Sequence, residues 1–422
     1  MNATEVEQSY VVAGLCAYAH SLSATAISAA LSYYDVENNI VFLHLGRKDV
    51  LRIEANSISI VANGAYNVFF PWNVSADTFL PTMHEYDWTK TLFGDCVGNV
   101  ISASQSEVLT LLRVWLLFLL FRDAAVSRPI LALFGQPGAG KSTLFRRIYT
   151  FLYGARKALS AVSDASDFDH AVAIDPLVVL DNVDSWERWL PDRLALSASS
   201  SDIVKRKLYT DLDTITLRRQ ALLGITAHNP HFGREDVADR MLIITFERLP
   251  CFKPEEDIVR EILAARDHLW GGIVKDVQRV LATPKSVANV PQFRVADFAR
   301  VGMRIATALN IADEFSNMID HINVSQHTFS LDEDELLVTA MHILIRKQKS
   351  SEFKSASVLW SELELCAPDA LAFARAYRNA VFLGKKLWAL HNALKEVITI
   401  EWRLEKDGSR RWRIAPKEQD GG

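Results

Sequence analysis

The segment that most constrains this chain is Gly135, Gln136, Pro137, Gly138, Ala139, Gly140, Lys141, Ser142 and Thr143. It lies between the apolar run Ile130–Phe134 and a helix-permissive stretch reaching about Leu152. Strand, glycine-rich loop and helix in that order form the setting in which a backbone wraps a phosphate. Gly135, Gly138 and Gly140 let the chain turn tightly enough for its N–H groups to converge on one point. Lys141 can reach the β- and γ-phosphates of a nucleotide, the Ser142 hydroxyl can hold Mg²⁺, and the following helix adds its positive end. The bland alternative is a glycine turn with no ligand. On the phosphate reading, ATP and Mg²⁺ are the expected ligands.

The rest of the composition is that of an ordinary globular chain. Its 422 residues are 49% hydrophobic and 23% charged, enough for roughly two to four domains. A net charge of −5 gives no global basicity, so any contact with DNA has to come from local patches. Cys16, Cys96, Cys251 and Cys366 are scattered, with no Cys-x-x-Cys pair. They read as reduced thiols, not as a zinc site or a disulfide framework. No basic segment precedes an apolar one at the N-terminus, and the apolar run Val114–Phe121 is too short to span a bilayer. The expectation is a cytoplasmic chain with no membrane contact.

The pattern along the chain divides it into modules. Residues 9–34 are Ala- and Ser-rich and helix-permissive. Short β-type runs follow at Ile40–Leu45, Val50–Ile53, Ser57–Val61 and Tyr66–Phe70, punctuated by Gly46, Gly64 and Pro71. Residues 1–105 are therefore expected to form a partly β-rich module, with 72–105 irregular. Glu107–Arg122 has a helical and very apolar pattern. From 106 to 250 strands and helices alternate (Ile130–Phe134, Leu177–Leu180, Leu222–Thr226, Met241–Phe246), which predicts a three-layer α/β core. Residues 251–325 read as an all-helical lid. Residues 326–415 read as a mixed segment ending in a hairpin, Ile398–Leu404 and Arg410–Ile414, and 416–422 as a frayed tail.

Three further elements fit a nucleotide site. Leu177–Asp181 is an apolar strand ending in a carboxylate, which places Asp181 to orient the Mg²⁺ held by Ser142. Asn182 follows where many ATPases carry a glutamate, so either Asn182 orients the attacking water or Asp184 supplies the base. An inactive, binding-only site is the alternative. Ala221–Thr226 is a second buried-type strand ending in a polar residue. Thr226, with Asn229 in reserve, is expected to touch the γ-phosphate or the water, or else to cap a turn. Arg234 and Arg240 precede the strand Met241–Phe246. They suit a γ-phosphate across a subunit boundary, or local ion pairs with Glu235, Asp236 or Asp239.

In this order the motifs resemble the superfamily 3 and AAA+ helicase-type ATPases of phages, plasmids and integrated elements. The shared features are the glycine loop, Leu180-Asp181-Asn182, the basic run from Lys205 to Asp211, the strand ending at Thr226, and Arg234 to Arg240. The stretch Gln292–Phe298 also resembles an Arg-Met-Ala-Asp-Phe segment of those proteins. The resemblance covers about residues 35–415 and implies a P-loop AAA+-type core and ATP-driven movement on DNA. It further implies a ring, usually a hexamer, a primase partner, and a C-terminal winged-helix-like module. It assigns DNA contact to Lys205, Arg206, Lys207 and Tyr209 on a hairpin turning at Asp211–Asp213. Three basic residues beside a tyrosine can also, on their own chemistry, neutralise phosphates and stack a base. The alternative is a solvated face.

Residues 385–413 carry eight basic side chains, among them Lys385, Lys386, Arg403, Arg410, Arg411 and Arg413, against four acidic ones. In the hairpin Ile398, Ile400, Trp402, Leu404, Trp412 and Ile414 share one parity, and Arg403, Arg411 and Arg413 the other. Period two therefore puts the apolar set on the core and the arginines on a solvent face. A helix around Gly384–Leu394 followed by this hairpin is the layout of a winged helix contacting a DNA backbone. An ordinary strand face or a subunit contact is the alternative. Two functions follow: a DNA helicase or translocase, or an ATP-switched DNA-binding initiator, loader or defence protein without unwinding. A small-molecule kinase would leave the two arginines and the basic C-terminus without a role.

Overall fold

The computed structural model describes residues 27–417, apart from 29, 47, 72–75, 156, 158, 160–161, 163, 185–186, 200–202, 207–213, 218–220, 229, 231–233, 333, 348–351 and 407. The described part opens with strand β1 (Ile27–Ser28) and an antiparallel meander of β2 (Ser32–Asp35), β3 (Ile40–His44), β4 (Asp49–Ile53) and β5 (Ile58–Ala62). Strand β6 (Val68–Phe69) then pairs with β1. Alternation along the meander sends Val41, Leu43, Leu51 and Ile53 into the main core of the molecule. Phe42 and Val50 go to a small second cluster with Val68 and Phe70. The Ala- and Ser-rich composition up to residue 34 suggested helix, yet Ser32–Asp35 is a strand. Pairing with β3 outweighs weak local propensity there.

Residues 72–105, expected to be irregular, contain a short helix α1 (Trp88–Phe93), capped by Asp87 accepting the Lys90 N–H at 3.1 Å. Helix α2 (Gln105–Phe121) begins at a reciprocal capping box between Ser104 and Glu107. From Val114 to Phe121 it is apolar on every side because every side is covered: Val114, Trp115, Leu117, Phe118 and Phe121 are all fully buried.

The central sheet holds β7 (Ile130–Gly135), β8 (Leu177–Leu180), β11 (Leu222–Ala227) and β12 (Met241–Phe246), all parallel, in the order β12-β7-β11-β8. Alternate residues serve opposite faces. Leu131, Leu133, Val179 and Ile244 join the main core with α2 and helix α3 (Lys141–Tyr153). Ala132, Phe134, Val178 and Ile225 form a second core with helices α4 (Ala165–Ile174), α5 (Leu190–Ala198) and α6 (Glu235–Ala238). The result is the expected three-layer arrangement. Between α5 and β11 lies an antiparallel pair, β9 (Ile203–Arg206) and β10 (Thr214–Leu217).

Helices α7 (Glu255–Ala282), α8 (Ala296–Ala308) and α9 (Ala312–Asp332) form the all-helical segment. Among the described residues they have no core of their own. Ile273, Val277, Phe298 and Ile305 pack in the same cluster as the meander and α2. Gly271 and Gly272 of α7 let the segment leading into α1 approach closely: a Cβ on Gly271 would lie 1.9 Å from the Thr82 carbonyl oxygen. Helix α9 runs unbroken through residue 326, where a domain boundary was expected. Its Gln326 amide donates to the Met241 carbonyl at 2.7 Å, and Phe329 stacks on Phe134 at 5.0 Å.

A separate core begins at Leu331. It comprises α10 (Glu335–Lys347), β13 (Lys354–Ser355), α11 (Ala356–Cys366), α12 (Ala370–Ala376), α13 (Ala380–Ala389), α14 (His391–Val397), β14 (Thr399–Leu404) and β15 (Arg410–Ala415). The sheet order is β13-β15-β14. The helix expected around Gly384–Leu394 is thus two helices, broken at Leu390.

Candidate phosphate-binding site

At the C-terminal end of β7 the chain enters the glycine loop. Gly135, Gly138 and Gly140 have φ of 142°, 78° and 83°, a region that side chains with a Cβ avoid. At Gly135 the need is also steric, since a Cβ would lie 2.1 Å from the Phe246 carbonyl oxygen on the neighbouring strand. The loop is braced from outside. Leu249 N–H donates to the Gly138 carbonyl at 3.1 Å. Asn99 donates its side-chain amide to the Ala139 carbonyl at 3.1 Å and to the Glu247 carbonyl. No sequence pattern singles out Asn99, because its partners are backbone atoms 40 and 148 residues away. Helix α3 starts directly at Lys141 with no side-chain cap, so its first N–H groups face the loop.

The Lys141 ammonium folds back on the loop, donating to the carbonyls of Gly135 (2.6 Å) and Gln136 (3.0 Å). Burial lowers its pKa, and the carboxylates of Asp184 and Asp181 oppose that shift. Ser142 Oγ donates to Asp181 Oδ1 at 2.6 Å, and Thr226 Oγ1 donates to the same oxygen at 2.6 Å. Thr226 Oγ1 in turn accepts the Asn182 N–H at 2.8 Å. Three segments therefore meet at one carboxylate oxygen: the first turn of α3, the end of β8 and the end of β11. They meet because β11 lies between β7 and β8 in the sheet. Thr226 is engaged with Asp181, not turned toward open space. Asn182 has φ of 60°, and Asp184 Oδ1 accepts the His228 N–H at 2.6 Å. Asn229 lies outside the described residues. Beside Asp181 opens a cleft of about 460 Å³ lined by Arg146, Tyr149, Thr150, Lys157 and Glu255.

Arg240 is elsewhere. Met241 pairs with Ile130 and Phe246 with Gly135, so Arg240 is at the opposite end of the sheet, on the order of 20 Å from the loop. Arg234 pairs with Asp192 of α5 at 2.5 Å and with Asp236 at 2.8 Å, and these hydrogen bonds raise its pKa. Arg240 donates to the Asp236 carbonyl. Lys205 and Arg206 lie on β9 opposite Ile215 and Thr214. Lys207, Tyr209 and the expected turn Asp211–Asp213 lie outside the described residues.

In the C-terminal hairpin Trp402 pairs with Trp412, Arg403 with Arg411, and Glu401 with Arg413, the expected parity. Arg403 and Arg411 share Glu405 at 3.0 and 3.4 Å, and Arg413 meets Glu401 at 2.7 Å. Lys386 is tied to the buried Asp334 at 2.8 Å. Asp334 also accepts the Tyr377 hydroxyl at 2.8 Å. Lys385 is exposed.

A mixed α/β chain with a glycine loop closing on a serine–aspartate–threonine cluster is the class this geometry defines. Residues 95–324 match the family described as actinomycete integrative conjugative element replication protein. That is more than half of the chain and contains the loop, Asn99, Asp181, Thr226, both arginines and Gln292–Phe298. The chain belongs to this family and is a replication protein of a mobile element. No curated protein matches it. Two solved structures are similar over most of their length, the A form apo structure of the NrS-1 C terminal region and the apo structure of the same region (305–718). They cover 91% of this chain and 98% of their own, at 12% identity and TM-scores of 0.37 and 0.38. Among the described residues no helix is long and apolar enough to cross a membrane.

Proposed function

We propose that this replication protein is an ATP-hydrolysing motor that moves on DNA as a ring, with the P-loop AAA+-type core as its engine. The observation that carries the reading is the convergence of Ser142 and Thr226 on one oxygen of Asp181, at 2.6 Å each, beside a glycine loop held in left-handed backbone. Gly135–Thr143 would surround the phosphates of ATP, with Lys141 released from its loop carbonyls to meet the β- and γ-phosphates. Ser142 and Asp181 would hold Mg²⁺, which supplies neutralisation of phosphate charge. Thr226 fixes the Asp181 carboxylate, Asn182 orients the attacking water, and Asp184 receives its proton.

Arg240 is too far from the loop of its own subunit to act there. An arginine at the opposite sheet end is instead suited to a neighbour's γ-phosphate, which supports hydrolysis at subunit interfaces. The β9–β10 hairpin and the basic C-terminal hairpin are the proposed DNA contacts, and a primase is the proposed partner by resemblance. One feature favours a second reading, in which ATP switches assembly of an initiator, loader or defence protein without unwinding: an asparagine, Asn182, follows Asp181 where a glutamate would be a stronger base. Strand displacement on forked DNA separates the two. ATP-dependent unwinding supports the motor, and nucleotide-dependent assembly with negligible turnover supports the switch.

A further inference from the structure

The apolar face of the C-terminal hairpin is longer than the core it covers. Along that face the residue pairs are Ile400 with Ile414, Trp402 with Trp412, and Leu404 with Arg410. Ile400, Trp412 and Ile414 are buried, while Trp402 is 37% and Leu404 63% exposed. No described part of the chain covers this outer half. Next to it Trp388, on α13, is 44% exposed and meets Trp402 edge to face at 5.1 Å. The Arg410 guanidinium lies 3.9 Å from the Trp388 ring centre and 5.5 Å from that of Trp402. Val381, Lys385 and Trp388 follow one another at helical spacing along α13, all exposed. Among the described residues neither Lys385 nor Arg410 makes an ion pair, in contrast to Arg403, Arg411 and Arg413 on the other face.

Two exposed indoles flanked by two cations form a surface for a ligand with flat rings and negative charge. Duplex DNA presents phosphates and base edges and would leave the indole faces unused. Unpaired nucleotides offer both ring faces and phosphates, and stacking on aromatic side chains accepts any base. We propose that Trp388 and Trp402 form a stacking site for unpaired bases, with Arg410 and Lys385 taking the adjoining phosphates. The C-terminal hairpin then grips single-stranded DNA through its apolar side, in addition to any duplex contact through its arginine face. This inference deepens the DNA-acting part of the proposed function but does not need ATP hydrolysis.

The test uses the full chain without nucleotide, so that failure of the ATPase reading leaves it interpretable. Fluorescence anisotropy measures binding to a labelled oligothymidylate and to a blunt duplex of equal length. Trp402→Ala and Trp388→Ala should each weaken oligothymidylate binding on the order of 5- to 100-fold. Duplex affinity should stay unchanged, and Trp402→Phe should restore most of the loss. Because Trp388 is on a helix surface, its variant reports even if Trp402→Ala does not fold. Unchanged oligothymidylate affinity in the folded variants, an equal loss on duplex, or a change in particle mass that marks a contact between copies would each overturn the proposal.

Discussion

Thr226 donates its hydroxyl proton to Asp181 at 2.6 Å while accepting the N–H of Asn182 at 2.8 Å. One side chain of the middle strand thereby sets the direction of the carboxylate and the path of the backbone just beyond it. Outer partners that orient a metal-holding carboxylate typically contribute on the order of 10- to 100-fold in affinity or activity. Thr226→Val, which keeps the shape and removes the hydroxyl, should lower steady-state ATP turnover by that factor. Binding of a fluorescent ATP analogue should change little, and Thr226→Ser should restore turnover. Full turnover in Thr226→Val would assign the threonine to packing alone.

Arg240 and the glycine loop occupy opposite ends of the sheet, which gives a test by mixing. Arg240→Ala should lose turnover on the order of a thousandfold while still binding ATP, and Lys141→Ala should be inactive through lost phosphate contact. Mixing the two should recover a fraction of wild-type turnover, because some interfaces then combine an intact loop with an intact arginine. A mixture as inactive as its components would exclude action across the interface.

The strands of the central sheet were legible because each is a short, continuous apolar run, as buried parallel strands must be. The three-layer core and the encounter of Ser142 with Asp181 followed from the same reading. What escaped it depends on long-range partners. Asn99 braces the loop through backbone carbonyls. Arg234 is held by Asp192, 42 residues earlier in the chain. Ser32–Asp35 is a strand only because β3 is there to pair with it. The meander and the helical lid read as separate modules, yet they share one core, since sequence pattern shows which face of an element is apolar but not which element covers it.

Asp297, in the stretch Gln292–Phe298, illustrates the same limit. Its carboxylate accepts from Val126 N–H and Ser127 N–H at 3.0 Å each and from the Ser127 hydroxyl at 3.1 Å, fastening α8 to the segment entering β7. Burial pushes its pKa up, but those hydrogen bonds and Arg300 outweigh it and hold the carboxyl below its ordinary value of 3.8. A lowered folded-state pKa means stabilisation that is complete above the ordinary value and lost as pH falls through the lower one. Asp297→Asn should cost about 1–3 kcal/mol, read as a lower melting temperature. That gap should be constant near neutrality and narrow below about pH 4. A gap that widens in acid would contradict this assignment.

The central claim, that Gly135–Thr143, Asp181 and Thr226 form a working ATPase site, is tested most directly by Mg²⁺-dependent ATP turnover. The comparison is between wild-type and Lys141→Ala chains, with and without single-stranded DNA, with particle mass measured alongside. The account predicts turnover from an oligomeric particle, raised by DNA and abolished in Lys141→Ala. Absence of both ATP binding and turnover in the wild type, or equal turnover in Lys141→Ala, would contradict it.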